Sequence, residues 1–139
     1  MTYTPVREKT MPIPVEPAVL SVHLDGGAGV VDVPVYIPWK HCQLVYAYTV
    51  TTVGEGNNAA VYLDFELNAA GGTRMGDIDI AQNAAVGDID ELDIYDQDAC
   101  ENLSSDDPAR DAINIELTDN ASSTWQGMLF MYFEVWAGE

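Results

Sequence analysis

The chain has 139 residues, 47% of them hydrophobic, and its 23 acidic and 5 basic side chains give a formal net charge of −18. That length suits one domain with a sizeable core, and the apolar share argues against wholesale disorder. The charge argues against nucleic acid or an anionic lipid surface as partner, because both are held by clustered Lys and Arg. No apolar run approaches the ~20 residues needed to cross a bilayer. Residues 1–20 lack the basic start and apolar stretch of an export signal, so neither a membrane nor an export route is expected. Cys42 and Cys100 lie too far apart in sequence to suggest a disulfide framework and are expected as two reduced, buried thiols.

Residues 1–17 stand apart. They hold four of the seven prolines (Pro5, Pro12, Pro14 and Pro17) and two of the five basic residues, Arg7 and Lys9. Proline lacks the N–H that a sheet ladder needs and holds its predecessor extended. The segment therefore reads as an extended arm outside the core. It is either a frayed terminus or a strap over a neighbouring subunit carrying the apolar Met11, Ile13 and Val15.

From residue 18 onward short β-rich runs alternate with turns, and residues 18–139 read as a single domain. Strands are expected at 18–24 and at 30–37, the second on a sheet edge or bulge because it contains Pro34. A third runs over 43–53 and a fourth over 59–67, where Val61, Leu63, Phe65 and Leu67 alternate with Tyr62, Asp64 and Glu66. The short polar turn between these two predicts a hairpin. Residues 77–80 and 113–117 alternate as well, and 86–95 holds short strand-like pieces of unfixed register. One helical turn is expected from Ser105 to Arg110, with Pro108 near its start. The last strand, 125–136, is apolar on both faces. Met128, Phe130, Tyr132 and Trp136 share one side, and Leu129, Met131, Phe133 and Val135 the other. No segment shows sustained helical periodicity, which points to an antiparallel sandwich or barrel of about eight strands.

Catalytic equipment is hard to find. His41 beside Cys42 suggests a thiol nucleophile, but neighbours on a strand face opposite ways. Nucleophile elbows, phosphate loops and dinucleotide fingerprints are absent from the sequence. Among 23 acids a glycosidase-like carboxylate pair carries no information. The chain is expected to be no enzyme and to need no cofactor. Twelve acids fall between Asp77 and Asp111, and Asp88, Asp90, Asp93, Asp96 and Asp98 are the candidates for a cation site. That stretch lacks the sixth-position glycine and the closing glutamate of an EF-hand loop. Its interleaved Ile89, Leu92 and Ile94 fit strand residues with a solvated face better. The doubly apolar last strand needs two covers, the opposing sheet and a second that is either another copy of the chain, the favoured reading, or a loop or the N-terminal arm.

Residues 37–136 resemble the jelly-roll decoration, or cement, proteins and related head-fibre domains of tailed phages. The resemblance lies in Ile37-Pro38-Trp39-Lys40-His41-Cys42-Gln43-Leu44 opening a long Val/Tyr/Thr strand, followed by Gly54-Glu55-Gly56-Asn57-Asn58. It continues in the alternating strand to Leu67, in Ala70-Gly71-Gly72 and Met75-Gly76-Asp77-Ile78, and closes in the run from Thr124 to Glu134. It implies a two-sheet jelly roll that trimerises and clamps the outer surface of a virion shell built from a major capsid protein. It supplies no catalytic residue to carry over. On that footing Met11, Pro12, Ile13, Pro14 and Val15 are the expected capsid-contact arm. Tyr48, Phe130, Tyr132 and Trp136 are the expected subunit interface. The alternative is a calcium-dependent carbohydrate-binding jelly roll, with Trp39, Trp125 and Tyr62 stacking on sugar rings. Only 4 of the 23 acids precede residue 51, so an acidic outward face and a more neutral gripping end are expected.

Overall fold

The structure is a computed structural model that describes residues 14–27, 29–56, 60–106, 110–119 and 123–136, with the backbone alone for 14–17. Period-2 alternation drives the chain into strands, because an extended backbone sends successive side chains to opposite faces. The strands are β1 (Pro14–Asp25), β2 (Val30–Tyr36), β3 (Cys42–Val53), β4 (Val61–Leu67), β5 (Thr73–Ile80), β6 (Ile89–Glu91), β7 (Asp93–Ile94), β8 (Ala112–Thr118) and β9 (Gln126–Trp136). A four-residue helix, α1 (Gln97–Cys100), follows β7.

These strands form a four-stranded sheet ordered β1-β9-β3-β6 and a five-stranded sheet ordered β2-β8-β4-β5-β7, antiparallel throughout. The pairs β1–β9, β2–β8, β3–β6 and β4–β5 are nested like one long hairpin rolled up across two sheets. This is the connectivity of a jelly roll, and the expected all-β sandwich is present.

The local pairing differs from expectation at one point. β3 and β4 do not form a hairpin; they lie in different sheets, and the connection between them crosses the sandwich. The tip hairpin is β4–β5, closed at the turn after Leu67 by Asn68 in the left-handed region (φ 73°). Pro34 sits where expected, on the edge strand β2.

The first strand also starts earlier than residue 18. Pro14 opposes Trp136 and Pro17 opposes Glu134, with a register shift between them. Edge position is what lets β1 hold two prolines. Pro14 and Val15 thus belong to β1, while Met11, Pro12 and Ile13 lie outside the described residues. Of the turn expected from Ser105 to Arg110, residues 107–109 lie outside the described residues; a helical turn lies at Gln97–Cys100. Asp96 caps it, its carboxylate accepting from the Ala99 N–H at 3.2 Å.

Between the sheets lie Leu44, Leu63, Phe65, Met75, Ile78, Ile113, Ile115, Leu129, Met131, Phe133 and Trp125, all buried. Trp125 folds under β9 because Gly127 has no side chain: a Cβ there would collide with the indole ring. The indole N–H donates to Thr51 Oγ1 at 2.9 Å. Nearby loops are tied by two carboxylates. Asp119 accepts from the Gly27 and Gly29 N–H groups at 2.7 and 3.1 Å, and buried Glu55 accepts from the Ser123 hydroxyl and the Thr124 N–H. Ionised side chains at such depth are tolerated only when donors surround them.

Removing the Phe133 ring leaves a core cavity, so Phe133→Ala should cost about 3–5 kcal/mol in denaturant unfolding. Tyr132→Ala, one residue along and half-buried on the other face, should cost clearly less. Equal costs would mean that β9 is not buried on one side as described.

Candidate functional site

The two outer faces of the sandwich differ in chemistry. On the four-stranded sheet, Met128, Phe130 and Tyr132 of β9 stand beside Tyr46, Tyr48 and Val50 of β3. Tyr48 stacks on Phe130 with ring centroids 5.3 Å apart and lies 6.1 Å from Tyr132, and Tyr46 lies 5.6 Å from Tyr48. Hydrogen bonding holds the phenols too. Tyr46 donates to Glu91 at 2.7 Å, a bond that raises its pKa to about 12, and a bond to Tyr132 raises that of Tyr48. Val19 and Ile89 extend the face and are 46% and 60% exposed. Side-by-side aromatics on an outer sheet face are unusual in an isolated soluble domain and common at protein contacts.

Of the expected interface residues, the structure brings Tyr48, Phe130 and Tyr132 into one cluster. Trp136 stands apart at the end of β9, stacked on His41 at 5.2 Å and packed against the core margin. Tyr46 is the member that sequence reasoning missed. A β-bulge lies between Leu44 and Tyr46. Leu44 points inward, so strict alternation would bury Tyr46 and Tyr48; the extra residue turns both outward and buries Ala47 and Thr49 instead.

The five-stranded sheet presents carboxylates. Asp32 opposes Glu116, Glu116 opposes Asp64, Asp64 opposes Asp77 and Asp77 opposes Asp93, a continuous row across all five strands. Like charges directly opposite are destabilising. Arg74 relieves the middle of the row, its guanidinium 2.7 Å from Asp64 and 3.0 Å from Asp77 and lying 4.8 Å from the centre of the Tyr95 ring. The Tyr95 hydroxyl donates to Asp77 at 2.8 Å. At the β2 end the relief is neutral: Asn114 donates its amide to Asp32 at 2.9 Å and to Glu66 at 3.0 Å.

Asp32, Glu66 and Glu116 offer oxygens within 4.8 Å of one another, the group among the described residues placed to share a cation. At one oxygen each they supply three of the six to eight that calcium takes, the rest falling to second carboxylate oxygens, carbonyls or water. The acids suggested by sequence do not converge. Asp88 caps a turn by accepting from the Ala85 N–H, Asp90 lies on β6, Asp93 on β7, Asp96 caps α1 and Asp98 lies within it. Of the three residues expected to stack on sugars, Trp125 is buried, Trp39 packs on Phe133 at 5.2 Å and Tyr62 is exposed. Both thiols are buried and unbridged. Burial and then nearby Asp111 push Cys42 up to about 12, and burial with Asp96 and Glu101 pushes Cys100 up to about 11, so neither is a thiolate at neutral pH.

No protein-family model matches the chain, and no curated protein matches it. Two solved structures of infectious bursal disease virus superpose on it. The Gx strain does so with a TM-score of 0.45 and 11% identity over 91% of this chain and 35% of its own. The Gt strain gives 0.40 and 11% over 90% and 38%. The chain thus spans little more than a third of either, and superposition at that level carries no argument about function.

Burial, then the charges of Glu66, Asp32 and Asp64, raise the pKa of Glu116 above its ordinary 4.5; burial and Asp77 raise that of Asp79 above 3.8. A carboxyl with a raised folded pKa keeps its proton better folded than unfolded. Its contribution is full below the unfolded pKa and is lost as pH climbs through the raised one. Lowering the pH from 7 to about 5 should therefore raise the melting temperature. Glu116→Gln should add about 0.2–1 kcal/mol at pH 7 and flatten that dependence. Added sodium chloride should stabilise the parent more than the variant, through screening.

Proposed function

We propose that the chain is a non-enzymatic decoration protein of a viral particle, a phage head cement protein that binds the outer surface of a shell built from a major capsid protein. The observation that carries this reading is the division of the sandwich into one aromatic, sparsely charged face and one face crossed by a carboxylate row. The aromatic face has what a permanent protein contact needs, namely flat rings, little charge and half-buried side chains awaiting a second cover. The carboxylate face suits permanent exposure, since it keeps particles apart and repels nucleic acid. The resemblance of residues 37–136 to tailed-phage decoration proteins supports the same assignment.

In this reading the protein is a homotrimer joined through Tyr48, Phe130 and Tyr132, with Tyr46 at the rim and Trp136 at the strand end. The arm around Met11, Pro12 and Ile13, continuing into Pro14 and Val15 of β1, grips the shell. No nucleic acid, membrane or cofactor takes part.

Solution mass and co-sedimentation with capsids that lack the protein test the assignment. A trimer that sediments with such capsids is the expected result; a chain that stays monomeric at high concentration and remains in the supernatant overturns it. Replacing Met11, Ile13 and Val15 by serine should weaken attachment at least tenfold. Neutralising Asp93, Asp96 and Asp98 should leave it within about twofold, because exposed charges away from a contact contribute little. The reverse order would put the gripping surface on the acids.

A further inference from the structure

A sheet edge left bare presents a row of unpaired N–H and C=O groups, and native proteins blunt such edges with proline, charge or brevity. Three of the four edge strands here are blunted. β2 carries Asp32 and Pro34, β6 is three residues long, and β7 is two. β1 is not. Among the described residues it has β9 on one side and no strand on the other. From Ala18 to Leu24 it contains no proline, no carboxylate and no break in register. Its inward side chains Ala18, Leu20 and Val22 pack against the core yet stay partly exposed, as do Val33 and Val35 of the other sheet's edge strand β2. Among the described residues, the side of the sandwich bounded by β1 and β2 is thus both without a further paired strand and incompletely sealed in its apolar contacts.

We propose that β1 is a self-association edge, at which two copies of the chain pair their β1 strands antiparallel about a twofold axis through Ser21. The two four-stranded sheets then become one sheet of eight. Charge and register both select a second copy as the occupant. Two chains of −18 each repel wherever their acids meet, and residues 18–24 form a stretch without any. Antiparallel partners lie on the same face, so inward residues must meet inward residues. Centring on Ser21 does this: Leu20 pairs with Val22, Ala18 with Leu24, and Val19 with His23. The same register sets Glu16 against Gly26 and Asp25 against Pro17, so no carboxylate opposes another. The contact is isologous, so each pair of edges closes on itself and leaves no further β1 edge free. Phe130 and Tyr132, one strand in from each edge, then flank the junction on a shared outer face.

The pairing does not depend on what the protein decorates. If the chain is a trimer on a shell, the β1 edges link neighbouring trimers across twofold positions.

Cysteine placement in the full chain tests the register. In the paired assembly two Ser21 residues lie opposite at about 4.5–5.5 Å between Cα atoms, within disulfide reach. Two Val19 residues are offset by four positions along the strands, about 13 Å. Under mild oxidation Ser21→Cys should form a covalent dimer at least tenfold faster than Val19→Cys. Val19→Cys mixed with His23→Cys should cross-link about as fast as Ser21→Cys. Failure of Ser21→Cys to cross-link, or a rate no greater than that of Val19→Cys, overturns the proposal. Neither failure bears on the capsid assignment, because trimer mass and capsid sedimentation are read separately on the unsubstituted chain.

Discussion

The apolar character of both faces of β9, one buried and one half-buried, is the constraint on which the rest of the architecture depends. Leu129, Met131 and Phe133 fill the core beneath it, while Met128, Phe130 and Tyr132 stand half-buried above. β9 lies between β1 and β3. That placement ties the first and last described strands together and sets the outer pair of the nested hairpin. It also puts the rings of β9 against the tyrosines of β3, so one packing decision creates both the core and the aromatic face.

The opposite face is governed by electrostatics. Five carboxylates in register across five strands work against the fold, and Arg74, Tyr95 and Asn114 answer them locally. The answer is partial, because Glu116 and Asp79 still hold their protons more tightly than free carboxyls do. Stability is thereby exchanged for a surface that nothing anionic approaches. A similar tension exists at Asp90, whose pKa burial raises. One of its carboxylate oxygens, and the hydroxyl of Thr49 opposite it, are buried without a partner.

Such polarisation makes sense of the extreme charge without making the charge the adhesive. Repulsion between copies is strongest where the carboxylate row is, which leaves the aromatic face and the β1 edge as surfaces where copies can meet. Both lie on the same sheet, and the acids concentrate on the other.

Much of this was legible in the chain. β-rich runs marked β2, β3 and β9 and alternation marked β4 and β8, each to within two residues; turn residues marked their ends, and the two faces of β9 could be read directly. The outward acids of β4, β5 and β8 were visible as the polar half of each alternation. Hidden from the sequence was which strands lie side by side. Asp32, Glu116 and Asp64 are far apart along the chain, and only pairing across the sheet makes a row of them. Nor did the sequence mark the bulge that turns Tyr46 and Tyr48 outward, or the crossing that separates β3 from β4. Periodicity is a local property, set by the backbone geometry of each strand, so the sequence by itself determined strands, faces and charge. Neighbourhood between strands depends on how distant segments share one core, and only the tertiary structure decided it.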